Sequence, residues 1–182
     1  MHDGYIFTLG ICGTASASSP ALRLLDAMLA ALPPVKRAAL LGDIVLLDQG
    51  GKLDDPLLDP IVRDMVDAEL LLIVTPVWPG EQLPPRLLAL LERAMPLAET
   101  GALSGKIATL VGVVPPARLW RPPFLPICHF CERAKMTVSS IMEATEEAAQ
   151  DAWSVGRATE MAQGAYAEAS AMLRARNISH LR

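Results

Sequence analysis

Two runs leave this chain little choice of fold: ELLLIVT at residues 69–75 and IATLVGVV at residues 107–114. Neither alternates polar with apolar residues, as a strand with one wet face would. Short uninterrupted apolar runs suit strands covered on both faces, the usual state of a parallel sheet. The segments around them carry other signals. Residues 4–12 alternate weakly and read as a first strand. Residues 20–32 set Leu22, Leu25, Leu29 and Leu32 at helical spacing, and Pro33 and Pro34 end the helix. Residues 44–47 form a short apolar run closed by Asp48, Gln49, Gly50 and Gly51, a second strand and its loop. Asp59 before Pro60 predicts an N-cap and a helix over residues 60–67. Residues 86–95 and 127–135 read as helices, with a short strand at 136–141. From residue 143 to about 174 the alanine-rich chain predicts one long C-terminal helix. Gly156 and Gly164 weaken that helix by about 1 kcal/mol each relative to alanine, and close approach of another backbone is one reason to keep them. The alternation of strands and helices predicts an α/β fold, a parallel sheet with helices on both faces, in a single domain over residues 1–182.

Ligands of such sheets sit beyond the carboxyl ends of the strands. Three loops follow strand ends here, at residues 13–19, 76–84 and 115–121, and all should open at the same edge. The first carries Thr14, Ser16, Ser18 and Ser19, and Pro20 then opens a helix. A helix N-terminus offers unpaired backbone N–H groups and the positive end of a dipole. Hydroxyls add donors without adding charge. The combination suits a phosphate monoester, so the first expectation is a phosphorylated cofactor. The bland alternative is a capped turn without a ligand, but four hydroxyls exceed what capping needs.

Other classes fit less well. A net charge of −4 disfavours a general nucleic-acid role, which needs a basic face. No apolar run reaches the roughly 20 residues that span a bilayer. Asp3 stands where a signal peptide would carry basic residues, so a cytoplasmic location is expected. Three cysteines do not suggest a secreted disulfide scaffold.

Three segments together resemble the NAD(P)H-dependent FMN reductases, small flavodoxin-like flavoproteins. Residues 10–19, GICGTASASS, are similar to that family's glycine-serine phosphate loop. Thr75, Pro76, Val77, Trp78, Pro79 and Gly80, with Leu83, Pro84 and Leu87 behind them, resemble its second loop and following helix. Leu103, Ser104, Gly105, Lys106 and Ile107 are similar to the Gly-Lys that precedes its fourth strand. The resemblance implies a flavodoxin-like, doubly wound sheet of five parallel strands in the order 2-1-3-4-5. It implies that Thr14, Ser16, Ser18 and Ser19 hold the FMN phosphate, with Pro76, Val77, Trp78, Gly80 and Pro115 beside the ring. The implied activity passes hydride from NADH or NADPH through FMN to a small electron acceptor such as a flavin or quinone. A flavin carries that chemistry itself, so no catalytic acid or base is required of the chain. The family tends to form homodimers or homotetramers. The chain departs from the pattern in three places. Ala15 and Ser16 stand where the family often has an arginine. Pro79, Pro115 and Pro116 remove backbone donors near the ring. These departures define an alternative, a flavodoxin-like binding or scaffold protein without turnover.

Four further features invite a role. Trp78 is either a wall against a ligand or a filler between loop and core. Cys128 and Cys131 lie three apart, as a thiol-redox pair or part of a metal site would, although buried free cysteines are ordinary. Arg118 and Arg121 flank Trp120 and suit either the phosphates of a nicotinamide or plain solvent. Ala148, Ala152, Ala162 and Ala169 mark a small-residue helix face, for packing on the sheet or against a partner.

Overall fold

The computed structural model describes residues 6–34, 36–41, 58–78, 82–116 and 124–179. Five strands alternate with five helices: β1 (Thr8–Cys12), α1 (Pro20–Ala30), β2 (Lys36–Leu40), α2 (Leu58–Asp67), β3 (Leu70–Pro76), α3 (Pro85–Glu99), β4 (Ile107–Val114), α4 (Leu125–Arg133), β5 (Thr137–Thr145) and α5 (Ala152–Ser179). A single 3-10 turn, Ala148–Gln150, precedes α5. The strands form one sheet in the order β2-β1-β3-β4-β5, and every pairing is parallel. This is the order the family resemblance implies.

The central strand explains why both faces must be covered. Leu71 and Ile73 of β3 point into one apolar cluster with Met65 of α2, Leu87 and Leu90 of α3, and Phe130 of α4. Leu70, Leu72 and Val74 point into the other, with Leu24, Leu25 and Met28 of α1. Ala158, Ala162, Ala165 and Ala169 of α5 complete this second cluster. The register aligns Cys12 with Val74, and Val74 with Val111, so the loops after β1, β3 and β4 leave from one edge.

Several local expectations shift. The predicted strand at residues 44–47 lies outside the described residues; the described second strand is Lys36–Leu40 instead. Its sequence, KRAAL, lacks the β-branched residues that flag a strand. It is tolerated because β2 is an edge strand, with Ala38 and Leu40 exposed. The long terminal helix begins at Ala152, not near residue 143. Glu143, Ala144 and Thr145 instead complete β5, where pairing with β4 and burial of Met142 and Ala144 override helix propensity. Asp151 then starts the helix, its carboxylate accepting the Ser154 amide at 2.6 Å. Asp59 is not a cap either. It lies inside α2 and accepts a bond from Arg93 Nε at 2.5 Å, and that contact holds its carboxyl below the usual carboxylate range. Lys106, from the third family-like segment, has a structural task. Its ammonium donates to the carbonyls of Val66 and Ala68 at 2.6 Å each, at the carboxyl end of α2.

Candidate functional site

The loop between β1 and α1 is built by contact before any ligand is considered. The Gly13 amide donates to Val74 O at 2.9 Å, which continues the β1–β3 pairing one residue beyond β1. A Cβ at Gly13 would lie 2.2 Å from Thr75 Oγ1 and 3.2 Å from Thr75 Cα. The glycine therefore serves a close approach. Thr75 is fully buried, and its hydroxyl donates to Pro76 O at 3.0 Å.

The four hydroxyls of the loop divide by task. Thr14 is buried, and its Oγ1 accepts the Ser16 amide at 3.2 Å. The Ser19 amide donates to Ser16 O at 3.0 Å, turning the chain through Ala17 and Ser18. Ser19 is the N-cap of α1, its Oγ accepting the Ala21 amide at 3.3 Å. Ser16 and Ser18 are the outward pair, both exposed, with their oxygens 3.2 Å apart. Among the described residues, the amides of Ala15, Ala17 and Ser18 have no partner. No acidic side chain stands in the first turn of α1 to oppose an anion. The loop is thus open, rich in donors and at the positive end of a helix dipole. A phosphate fits its chemistry.

A cation stands within the first turns of α1. Arg23, four residues past the cap, donates from Nη1 to Gln150 Oε1 at 3.0 Å. Gln150 is itself held by Nε2 donating to Glu146 O at 2.9 Å. Its guanidinium is thereby tied to the turn before α5. The signal was a basic residue just inside a hydroxyl-rich helix start.

The other two loops are less forthcoming. Val77 is buried in the core, and its amide donates to Val113 O at 2.8 Å, so a ligand could meet it only through remaining backbone atoms. Trp78 is half-buried and pairs with Gln82, its amide donating to Gln82 O at 2.8 Å. Pro76 and Pro115 are half-buried at the same edge. Gly80 and Pro79 lie outside the described residues, as do Arg118, Trp120 and Arg121.

The cysteine pair belongs to the core. All three cysteines are free thiols. Cys131 is fully buried, and burial, with Cys128 beside it, pushes its thiol up to about 12. Burial raises Cys128 as well. Thiols held protonated by burial are poor nucleophiles. Among the described residues no group of three or more His, Cys, Asp or Glu side chains could hold a metal ion. No described helix is long and apolar enough to cross a membrane. A shallow cavity of about 460 Å³, lined by Glu99, Thr100, Arg133 and Lys135, lies at the opposite edge of the sheet and holds none of the predicted site residues.

No family model and no curated protein matches the sequence. Solved structures do match in shape. An NADPH-quinone reductase from P. pentosaceus superposes with a TM-score of 0.62 at 13% identity, over 88% of this chain and 98% of that one. The apo form of an NADH:FMN oxidoreductase gives 0.59 at 18% identity, covering 90% of each chain. A flavodoxin from Streptococcus pneumoniae gives 0.59 at 13% identity, over 90% and 99%. At such identities the likeness establishes the fold, which is flavodoxin-like.

Proposed function

We propose that this chain is an FMN-dependent oxidoreductase that takes hydride from NADH or NADPH and reduces a small acceptor such as a flavin or quinone. One observation carries the reading: the open β1–α1 loop presents two outward hydroxyls and three amides without partners at the carboxyl edge of a flavodoxin-like sheet. Ser16 and Ser18 would donate to the phosphate, joined by the amides of Ala17 and Ser18. Thr14 and Ser19 would act mainly by fixing the loop, each keeping a hydroxyl proton to donate. Arg23 would supply positive charge that the loop itself lacks. Pro76, Val77, Trp78, Gly80 and Pro115 would border the ring, with Trp78 as its flat wall. Bound FMN would supply the redox chemistry, accepting hydride and passing two electrons to the acceptor. The proteins of similar shape named above include reductases acting with NADPH or NADH, which supports this class. The proposed location is the cytoplasm, with no nucleic-acid or membrane partner.

A second reading has its own support. The Val77 amide is committed to Val113, and Pro115 has no N–H, so two positions near the ring offer no donor. A scaffold that keeps the fold without turnover would look like this. The two separate on one experiment. The protein is loaded with FMN under anaerobic conditions, NADH or NADPH is added, and flavin absorbance is followed, with a quinone admitted afterwards. Bleaching faster than free FMN, then recovery on adding the quinone, supports the oxidoreductase. A flavin that stays oxidised with both nicotinamides supports the scaffold.

A further inference from the structure

The glycine contact that shapes the first loop has a counterpart on β4. Gly13 lies against Thr75, and Thr75 is the register partner of Gly112. Gly112 is the odd residue of its strand, IATLVGVV, since a glycine inside a strand weakens it. Its φ is not in the left-handed region, so backbone freedom does not explain it. Space does. A Cβ there would lie 2.6 Å from Cζ of Phe124, 3.3 Å from Cε1 and 3.5 Å from Cε2. The Phe124 ring therefore meets β4 end-on, at the strand's only position without a side chain. Phe124 is 2% exposed and belongs to the same apolar cluster as Val77 and Val114. It also starts α4. Its carbonyl accepts the Cys128 amide at 2.8 Å, and it makes no side-chain cap, so the ring is what fastens this helix start to the sheet. The chain thus leaves the sheet after Val114 and is fixed back onto the same strand at Phe124.

We infer that Phe124, seated on Gly112, is a positioning residue for the ring side of the site. It sets the start of α4 and the return of the third loop, and thereby where Pro115 stands beside Val77 and Trp78. Neither Phe124 nor Gly112 is placed against the flavin; the pair acts through the loop it anchors. The phosphate loop has its own fixture in Gly13 and Thr75, so the ring and phosphate contributions to binding are separable. The inference rests on the FMN reading.

The test is isothermal titration of FMN and of riboflavin into the full chain, with urea denaturation of each variant alongside. Gly112→Ala forces the Phe124 ring off β4. Both flavins should then bind roughly tenfold more weakly with their ratio unchanged, because the phosphate loop is untouched. The visible absorbance of the bound ring should shift as well. Phe124→Leu keeps an apolar side chain but withdraws the ring tip. It should weaken both flavins in the same way, and it serves as the test if Gly112→Ala does not fold. Adding Phe124→Leu to Gly112→Ala makes room for the new methyl group and should restore affinity to within about threefold of wild type. A merely structural role would lower the urea midpoint and leave the affinity of the folded protein alone. Folded single variants that bind both flavins as the wild type does overturn the inference and leave the FMN reading standing. A loss confined to FMN overturns it too, since the effect would then lie at the phosphate. So does a double variant that regains stability without affinity. A wild type that binds neither flavin overturns the FMN reading and this inference with it.

Discussion

Gly13→Ala tests whether the β1–α1 loop is held by contact with β3. The added Cβ would sit 2.2 Å from Thr75 Oγ1, 2.8 Å from Thr75 Cβ and 3.2 Å from Thr75 Cα. Unstrained carbon contacts lie at about 3.5–4.0 Å, so the loop or the end of β3 must move by roughly 1 Å. Rotating the Thr75 hydroxyl away does not suffice, because its Cβ and Cα also crowd the site. Overpacking of this kind costs about 1–3 kcal/mol, and three close atoms, one of them main chain, place Gly13→Ala near the upper end. Thr75→Ala alone removes a buried hydroxyl and its bond to Pro76 O, at roughly 0.5–1.5 kcal/mol. The double variant loses the worst clash, so its cost should fall short of the sum by about 1 kcal/mol or more. Urea denaturation followed by far-UV circular dichroism measures all four corners of the cycle. A Gly13→Ala variant within about 0.5 kcal/mol of wild type, or strictly additive costs, would mean that Thr75 does not hold the loop at this contact.

Three other outcomes follow from the same geometry. Ser16→Glu puts a carboxylate beside the proposed phosphate position and should weaken FMN binding at least tenfold, about 1.4 kcal/mol, by fluorescence titration; unchanged affinity removes the phosphate assignment. Cys131 titrates near 12 when folded against an ordinary 9.0, so above pH 9 the unfolded chain holds fewer protons than the folded one. Its contribution is complete below pH 9 and is lost as the pH rises toward 12. Cys131→Ala should flatten that part of the alkaline stability profile, and Cys131 should resist thiol reagents until the protein unfolds. Lys106→Met leaves two carbonyls at the end of α2 without their ammonium and should cost about 1–3 kcal/mol in thermal denaturation; a neutral result would show that those bonds contribute nothing net.

The parts of the fold legible in the sequence are those where burial on both faces wrote an unmixed pattern. β4 runs from Ile107 to Val114, the limits its apolar run predicts, and β3 differs by one residue at each end. The edge strands were harder for the opposite reason. Lys36, Arg37 and Ala38 in β2 carry no core pattern, because an edge strand need not bury both faces. β5 was cut short because Glu143, Ala144 and Thr145 lead into alanine-rich chain, and only pairing with β4 keeps them extended. At the site, the sequence marked four hydroxyls as equivalent. Local geometry separates them, turning Thr14 and Ser19 inward to build the loop and Ser16 and Ser18 outward. Arg23 could not be connected with Gln150 from sequence, since 127 residues separate them and only the turn before α5 brings them together. The three-residue spacing of Cys128 and Cys131 carries no information about burial, and burial is what holds Cys131 protonated.

Recognition of an anion where β1 gives way to α1 is tested by comparing FMN with riboflavin. The two share the ring and differ in the phosphate, so isothermal titration of each into the same protein isolates the loop's contribution. FMN should bind, and riboflavin should bind at least tenfold more weakly. Equal affinities, or no binding of FMN at all, would contradict that recognition.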